Sequence, residues 1–95
     1  MNKIKANIRV TTGKSNSRYL RKNNKFPSII YGKNYKNILI ELDQNKTLKL
    51  MSNISIYKEK ISIIIDKSIY LVFVKDIQYH ILKETFMHID FLRIK

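Results

Sequence analysis

The 95-residue chain has no cysteine, 44% hydrophobic residues and 19 Lys/Arg against seven Asp/Glu, for a net charge of +12. One small domain over residues 1–95 is expected, with neither a disulfide framework nor a cysteine-ligated zinc to supplement its core. No N-terminal apolar run has the length of a signal peptide's, and no stretch reaches the roughly 18 apolar residues of a membrane-spanning helix, so a soluble cytoplasmic protein is expected.

Residues 4–10 alternate, with Ile4, Ala6, Ile8 and Val10 predicted inward and Lys5, Asn7 and Arg9 outward, as in a half-buried strand. Thr11-Thr12-Gly13 closes it. Ser15 or Ser17 is placed to cap a short helix that runs to about Asn24 and is anchored by Leu20. Phe26-Pro27 leads into a strand over residues 28–31, where Pro27 at the first position spares a missing N–H, and Gly32 breaks it. A polar loop over residues 33–37 precedes a strand over residues 38–42. Asp43 is a good N-cap for a helix through Lys46, Leu48 and Met51 that ends near Ser52-Asn53.

Alternation at Ile54, Ile56, Ile61, Ile63 and Ile65 predicts a strand over residues 54–65. The run Ile63-Ile64-Ile65 predicts burial on both faces or a helix over the outer one. Asp66-Lys67-Ser68 reads as a hairpin turn into residues 69–74. Glycine would suit a position of positive φ there, and Lys67 in its place costs on the order of 1 kcal/mol. A last strand runs from Met87 to about Arg93. Six or so short strands with two short helices predict an all-β barrel or a tightly curled sheet, and closure would protect the isoleucine-rich strands from edge-to-edge pairing.

Charge is unevenly spread over this framework. Residues 1–40 carry ten Lys/Arg and no acid, whereas residues 41–95 carry nine against seven. Excess charge opposes compaction and attracts anions, so the segregation predicts one electropositive face. Its densest stretch runs from Gly13 to Lys22. On a helix, Arg18, Arg21, Lys22 and Lys25 share a face, with Arg9 and Lys14 converging from strand and loop. Like charges at that spacing repel, and nucleic-acid phosphate is the partner that offsets the repulsion. Gly13 and the small Ser15-Asn16-Ser17 run let backbone amides approach phosphate. The stretch is not a P-loop, because the second glycine and the Gly-Lys-Ser/Thr ending are missing. Seventeen Ile, 15 Lys and nine Asn against four Arg suggest AT-rich coding. Under that bias the retained Arg9, Arg18, Arg21 and Arg93 mark positions that need a planar, bidentate guanidinium.

Lys75, Asp76, Gln78, His80, His88 and Asp90 form a second constellation. His88 and Asp90, two apart in a strand, point to one face. Three readings compete. Metal binding needs at least three convergent ligands from His80, His88, Asp76 and Asp90. Acid/base catalysis by His88 and Asp90, as in a small RNA-processing enzyme, needs a nucleophile or pocket that the sequence does not reveal. Base-edge readout needs only donors and acceptors, with Asp90 accepting from an amino group of a base. Tyr31, beside Gly32, suits either stacking on RNA or a place on a barrel rim. Aromatics are not regularly interleaved among the cations, which favours a folded RNA over a featureless single strand.

Gly13-Lys14, Ser17-Arg18, Leu20-Arg21, the string Lys25-Phe26-Pro27-Ser28-Ile29-Ile30-Tyr31-Gly32, then Gln78, His80 and His88-Ile89-Asp90-Phe91 together resemble the bacterial ribosomal protein L-twenty-five family in its short, single-domain form. The resemblance implies a closed six-stranded β-barrel with two or three short helices. It also implies a structural, non-enzymatic place in the large ribosomal subunit, without cofactor or metal. The site implied is a distorted, loop-E-type internal loop of 5S rRNA, where non-Watson–Crick pairs open a groove that A-form RNA keeps closed. Arg9, Lys14, Ser17, Arg18 and Arg21 are then expected on the RNA, and Tyr31, Gln78, His88 and Asp90 nearer the base edges, with Lys75 also among the RNA-binding residues. The partners implied are 5S rRNA and other large-subunit components, with the chain a monomer within the ribosome and no membrane involved. Tyr19 and Tyr79 stand where relatives often carry Arg, and Lys75 where they often carry Gln. The prolines common after His80 and a glycine at 67 are absent.

Overall fold

The computed structural model describes residues 2–9 and 14–94, and of residues 14, 15 and 17 the backbone alone. In chain order these form β1 (Lys3–Lys5), β2 (Asn7–Ile8), α1 (Lys14–Lys22), β3 (Lys25–Gly32), β4 (Tyr35–Asp43), α2 (Gln44–Ser52), β5 (Ile61–Ile65), β6 (Ser68–Tyr79) and β7 (Phe86–Arg93). The strands form one sheet in the order β1-β5-β6-β7-β3-β4-β2. None of the described helices is long and apolar enough to cross a membrane.

The N-terminal segment closes that sheet on itself. β1 runs parallel to β5, with Lys3 opposite Ser62 and Lys5 opposite Ile64. The Ala6 N–H donates to the Ile64 carbonyl at 2.9 Å, and β2 then pairs antiparallel with β4, Asn7 opposite Glu41. β1 and β2 are therefore one interrupted strand joining both edges of the sheet. The seven segments make a nearly closed barrel of six staves, as expected. The change of partner at Ala6 re-aims the pleat. Ile4 and Ala6 are buried, but Ile8 is 55% exposed instead of facing inward. Val10 and the Thr11-Thr12-Gly13 closure lie outside the described residues.

Phe26, Ile30, Ile40, Ile61, Ile63, Val72, Ile89 and Phe91 fill the barrel, all fully buried. Side chains of this size contribute about 1.5–3 kcal/mol each when taken from water. β3 starts earlier than expected, so Pro27 is its third residue. It precedes Ser28, where the ladder to β7 begins, and at that point the missing N–H is still spared. The expected loop after Gly32 shrinks to a two-residue turn, with Asn34 left-handed at φ 68. Residues 54–60 form turns instead of the first half of a strand, because Ile54 and Ile56 reach the core from outside any ladder. In the β5–β6 hairpin the left-handed residue is Asp66, at φ 52, and the cost expected at Lys67 does not arise. Asn24, at φ 59, plays the same part after α1. In a chain with two glycines, Asn24, Asn34, Asp66 and, in the β6–β7 loop, Glu84 at φ 50 take positions that glycine usually fills.

α2 forms where expected. The Asp43 carboxylate accepts from the Lys46 N–H at 2.9 Å, and the Thr47 hydroxyl donates to the Asp43 carbonyl at 2.7 Å. The helix is tied to the barrel by buried Gln44. Its Nε2 donates to the Phe86 carbonyl at 2.6 Å, and its Oε1 accepts from the Phe86 N–H at 3.0 Å. Near the far ends of β3 and β7, the Arg93 guanidinium lies 3.8 Å from the centre of the Tyr35 ring and 4.9 Å from that of Tyr70. Gly32 permits this approach. A Cβ there would lie 3.1 Å from the Arg93 carbonyl oxygen and 3.3 Å from the Tyr35 ring.

Candidate nucleic-acid interface

α1 lies against β3 and buries Leu20 outside the barrel's own core cluster, so it packs on the outer wall. Arg18, Arg21 and Lys22 are exposed, as is Tyr19. Positions 14, 17, 18 and 21 recur at intervals that place them on one stripe of the helix. Two expectations are corrected. α1 begins at Lys14, so Ser15 and Ser17 lie within its first turns instead of capping it. Lys25 opens β3 and does not extend the helical stripe; its Nζ is 3.4 Å from Glu41 Oε1.

Arg9 links the helix to the barrel. Its backbone N–H donates to the Leu39 carbonyl at 2.9 Å, which fixes the residue at the end of β2. Its guanidinium grips Asn16 Oδ1 with Nε at 3.2 Å and Nη2 at 2.8 Å. The fork holds α1 in place and leaves the positive charge half-buried at the base of the helix. The inference that retained arginines occupy planar, bidentate sites holds for the Arg9 fork, whereas Arg93 meets only half of it, its planar guanidinium lying over the Tyr35 and Tyr70 rings.

The second constellation assembles on the outer face of β6 and β7. Gln78 stands opposite His88, Asp76 opposite Asp90, and Phe73 opposite Leu92. β3 continues the row, with Ile29 beside Asp90 and Tyr31 beside Leu92. Tyr31, Gln78, His88 and Asp90 therefore share one outer wall, and directly opposed residues point to the same side of the sheet. A bulge between Val74 and Asp76 leaves both Lys75 and Asp76 exposed. Its signal is present in the sequence, where buried Val72, Val74 and Ile77 change from a spacing of two to three.

His88 Nδ1 lies 3.0 Å from Asp90 Oδ1. Nδ1–H donating to the carboxylate fixes the orientation of the His88 ring, and the second Asp90 oxygen is left as an acceptor. The pair is about one-third exposed, at 31% and 36%, which leaves both groups within reach of a ligand. Among the described residues no three His, Asp or Glu side chains converge to hold a metal ion. His80 lies apart from the His88 pair: its Nδ1 accepts from the Leu82 N–H at 3.1 Å in the β6–β7 loop. Lys14 and Ser17 are placed by backbone only, in the first turns of α1. Sequence reasoning missed the Arg9–Asn16 fork and the opposition of Asp76 to Asp90, both of which depend on register between distant segments.

Two comparisons with known proteins bear on this arrangement. The family model described as the Ribosomal L25p family matches residues 4–91. A protein of Buchnera aphidicola subsp. Baizongia pistaciae (strain Bp), named large ribosomal subunit protein bL25, is 44% identical over 87 residues, which cover 90% of this chain and 90% of the relative.

Proposed function

This chain belongs to the Ribosomal L25p family, and from that membership we propose that it is a structural constituent of the large ribosomal subunit that binds 5S rRNA at a distorted internal loop. The observation that carries the reading is the pairing of two unlike surfaces on one barrel wall. One is the cationic stripe of α1 with Arg9; the other is the polar row of Gln78, His88 and Asp90, with Tyr31 at its side. Arg9, Lys14, Ser17, Arg18 and Arg21 supply phosphate contacts and register. Gln78, His88, Asp90, Tyr31 and Lys75 face the widened groove, where base edges are within reach. The role is structural, not catalytic, and belongs to the single domain as it sits in the cytoplasmic ribosome among other large-subunit components.

Electrostatic capture precedes readout in this mechanism. If about six phosphates are neutralised, log Kd changes with log salt with a slope of about 4–5. The Asp90 acceptor then favours an RNA that offers amino groups in an opened groove over a regular duplex, whose deep groove side chains do not enter. Competition binding tests the reading: labelled 5S rRNA is titrated with the protein in the presence of unlabelled 5S rRNA or a regular RNA duplex. Preferential displacement by 5S rRNA is expected, and equal displacement by both would refute it.

A further inference from the structure

We infer that the cleft between the C-terminal end of α1 and the β6–β7 loop is a phosphate-binding site, an anchor on the nucleic acid that shares Arg21 with the α1 stripe, extends it to the β6–β7 loop and is separate from the His88–Asp90 row. The cleft is lined by Arg21, Asn24, Gln44, His80, Lys83 and Thr85. Two cations, an imidazole, two amides and a hydroxyl surround it, and no carboxylate lines it. Glu84, between Lys83 and Thr85, is exposed and is absent from the lining.

One wall and the neck of the cleft are fixed before any ligand arrives. Both polar atoms of Gln44 are committed to the Phe86 backbone, at 2.6 and 3.0 Å, so this side chain is a rigid wall. The His80 N–H donates to the Thr85 carbonyl at 2.7 Å, closing the loop at its neck. His80 Nδ1 accepts from the Leu82 N–H, so the imidazole proton sits on Nε2, a donor in the neutral as well as the charged ring. A helix C-terminus ordinarily repels anions through its exposed carbonyls. Here the Tyr19 carbonyl accepts from Asn23 Nδ2 at 2.8 Å and from the Asn23 N–H at 3.1 Å, and the Arg21 carbonyl accepts from the Asn24 N–H at 3.1 Å. Those oxygens are turned to neighbours, and the Arg21 guanidinium and Lys83 ammonium decide the sign of the local field. A compact, multiply charged oxyanion with several acceptor oxygens matches this donor set, and phosphate is that chemistry.

The site rests in part on the function proposed above, since an RNA phosphodiester is one source of the group and a free phosphate the other. The test follows the backbone amide signals of His80 and Thr85 by NMR while the full chain is titrated separately with inorganic phosphate and with 5S rRNA, for the native protein and for Lys83→Gln and Arg21→Gln. A saturable shift of both signals with either probe, lost in both variants, is the expected result. A response to phosphate alone marks a free-anion site, and a response to RNA alone marks a backbone phosphodiester positioned by the rest of the interface. In the RNA case, Lys83→Gln also lowers the salt slope of binding by about 1, whereas Lys58→Gln, in the distant 54–60 turns, leaves it unchanged. Unmoved signals with both probes, or shifts that persist in both variants, would overturn the inference. Should the native chain fail to bind 5S rRNA, the ribosomal reading falls, and the inorganic phosphate titration alone decides the cleft.

Discussion

His88 Nδ1 meets Asp90 Oδ1 at 3.0 Å on the outer wall of the barrel, while Asp76 stands directly across from Asp90 on the neighbouring strand. Like charges directly opposed in a ladder destabilise it, and the imidazole offsets that repulsion on the β7 side. The same contact orients the imidazole and leaves the second Asp90 oxygen as an acceptor. That is the arrangement expected of a reader of base amino groups set beside a phosphate grip.

Asp90→Ala is therefore expected to act on selectivity. It removes an acceptor and releases the orientation of His88, so discrimination between 5S rRNA and a regular duplex falls by about 1–3 kcal/mol. Affinity for the duplex stays level or rises. Parallel titrations of the two RNAs measure the difference, and an equal loss on both would remove Asp90 from readout.

Arg18→Ala is expected to act on affinity. Arg18 is exposed on α1 and forms no part of the barrel core, so folding is preserved. Loss of one phosphate contact lowers the salt slope by about 0.7–0.9 and weakens binding to 5S rRNA and duplex alike. Measurements of Kd over a series of salt concentrations check this. An unchanged slope would take Arg18 off the RNA.

Much of the proposed division of labour is legible before any fold is known. The acid-free first 40 residues disclose the cationic surface, and the two-residue spacing of His88 and Asp90 puts them on one face. The alternating isoleucines disclose a barrel, and Asp43 discloses the start of α2. What escapes is whatever depends on which strands meet. Ile8 departs from its alternation and faces solvent because the strand changes partner at Ala6. Lys25 follows helical spacing from Arg18, yet it opens a strand once the left-handed Asn24 ends the turn. Ile54 and Ile56 keep strand periodicity without a ladder, because burial alone satisfies an isoleucine.

Gln44→Ala is expected to be among the most damaging polar substitutions. It strips the Phe86 N–H and carbonyl of their partners in a buried place. An unmet buried group costs about 1–3 kcal/mol, so a loss of about 2–6 kcal/mol is predicted from the two together. Urea denaturation of the free protein measures it. A loss within the range of ordinary surface substitutions would show that α2 is held chiefly by its apolar face.

Arg93→Lys separates charge from planarity. The guanidinium stacks on Tyr35 at 3.8 Å, and an ammonium keeps the charge without the flat contact. A destabilisation of about 1 kcal/mol is expected, with 5S rRNA affinity unchanged after correction for folding. Loss of RNA binding in a fully folded variant would instead assign Arg93 to the interface.

The central claim, that one barrel wall grips phosphate and reads a single distorted site, is tested most directly by a chemical footprint of the purified protein on 5S rRNA. Protection confined to one internal loop and the backbone flanking it is predicted, with Asp90→Ala blurring the boundary and Arg18→Ala fading the whole footprint. Protection spread evenly along the helices, or none at concentrations that saturate binding, would contradict the account.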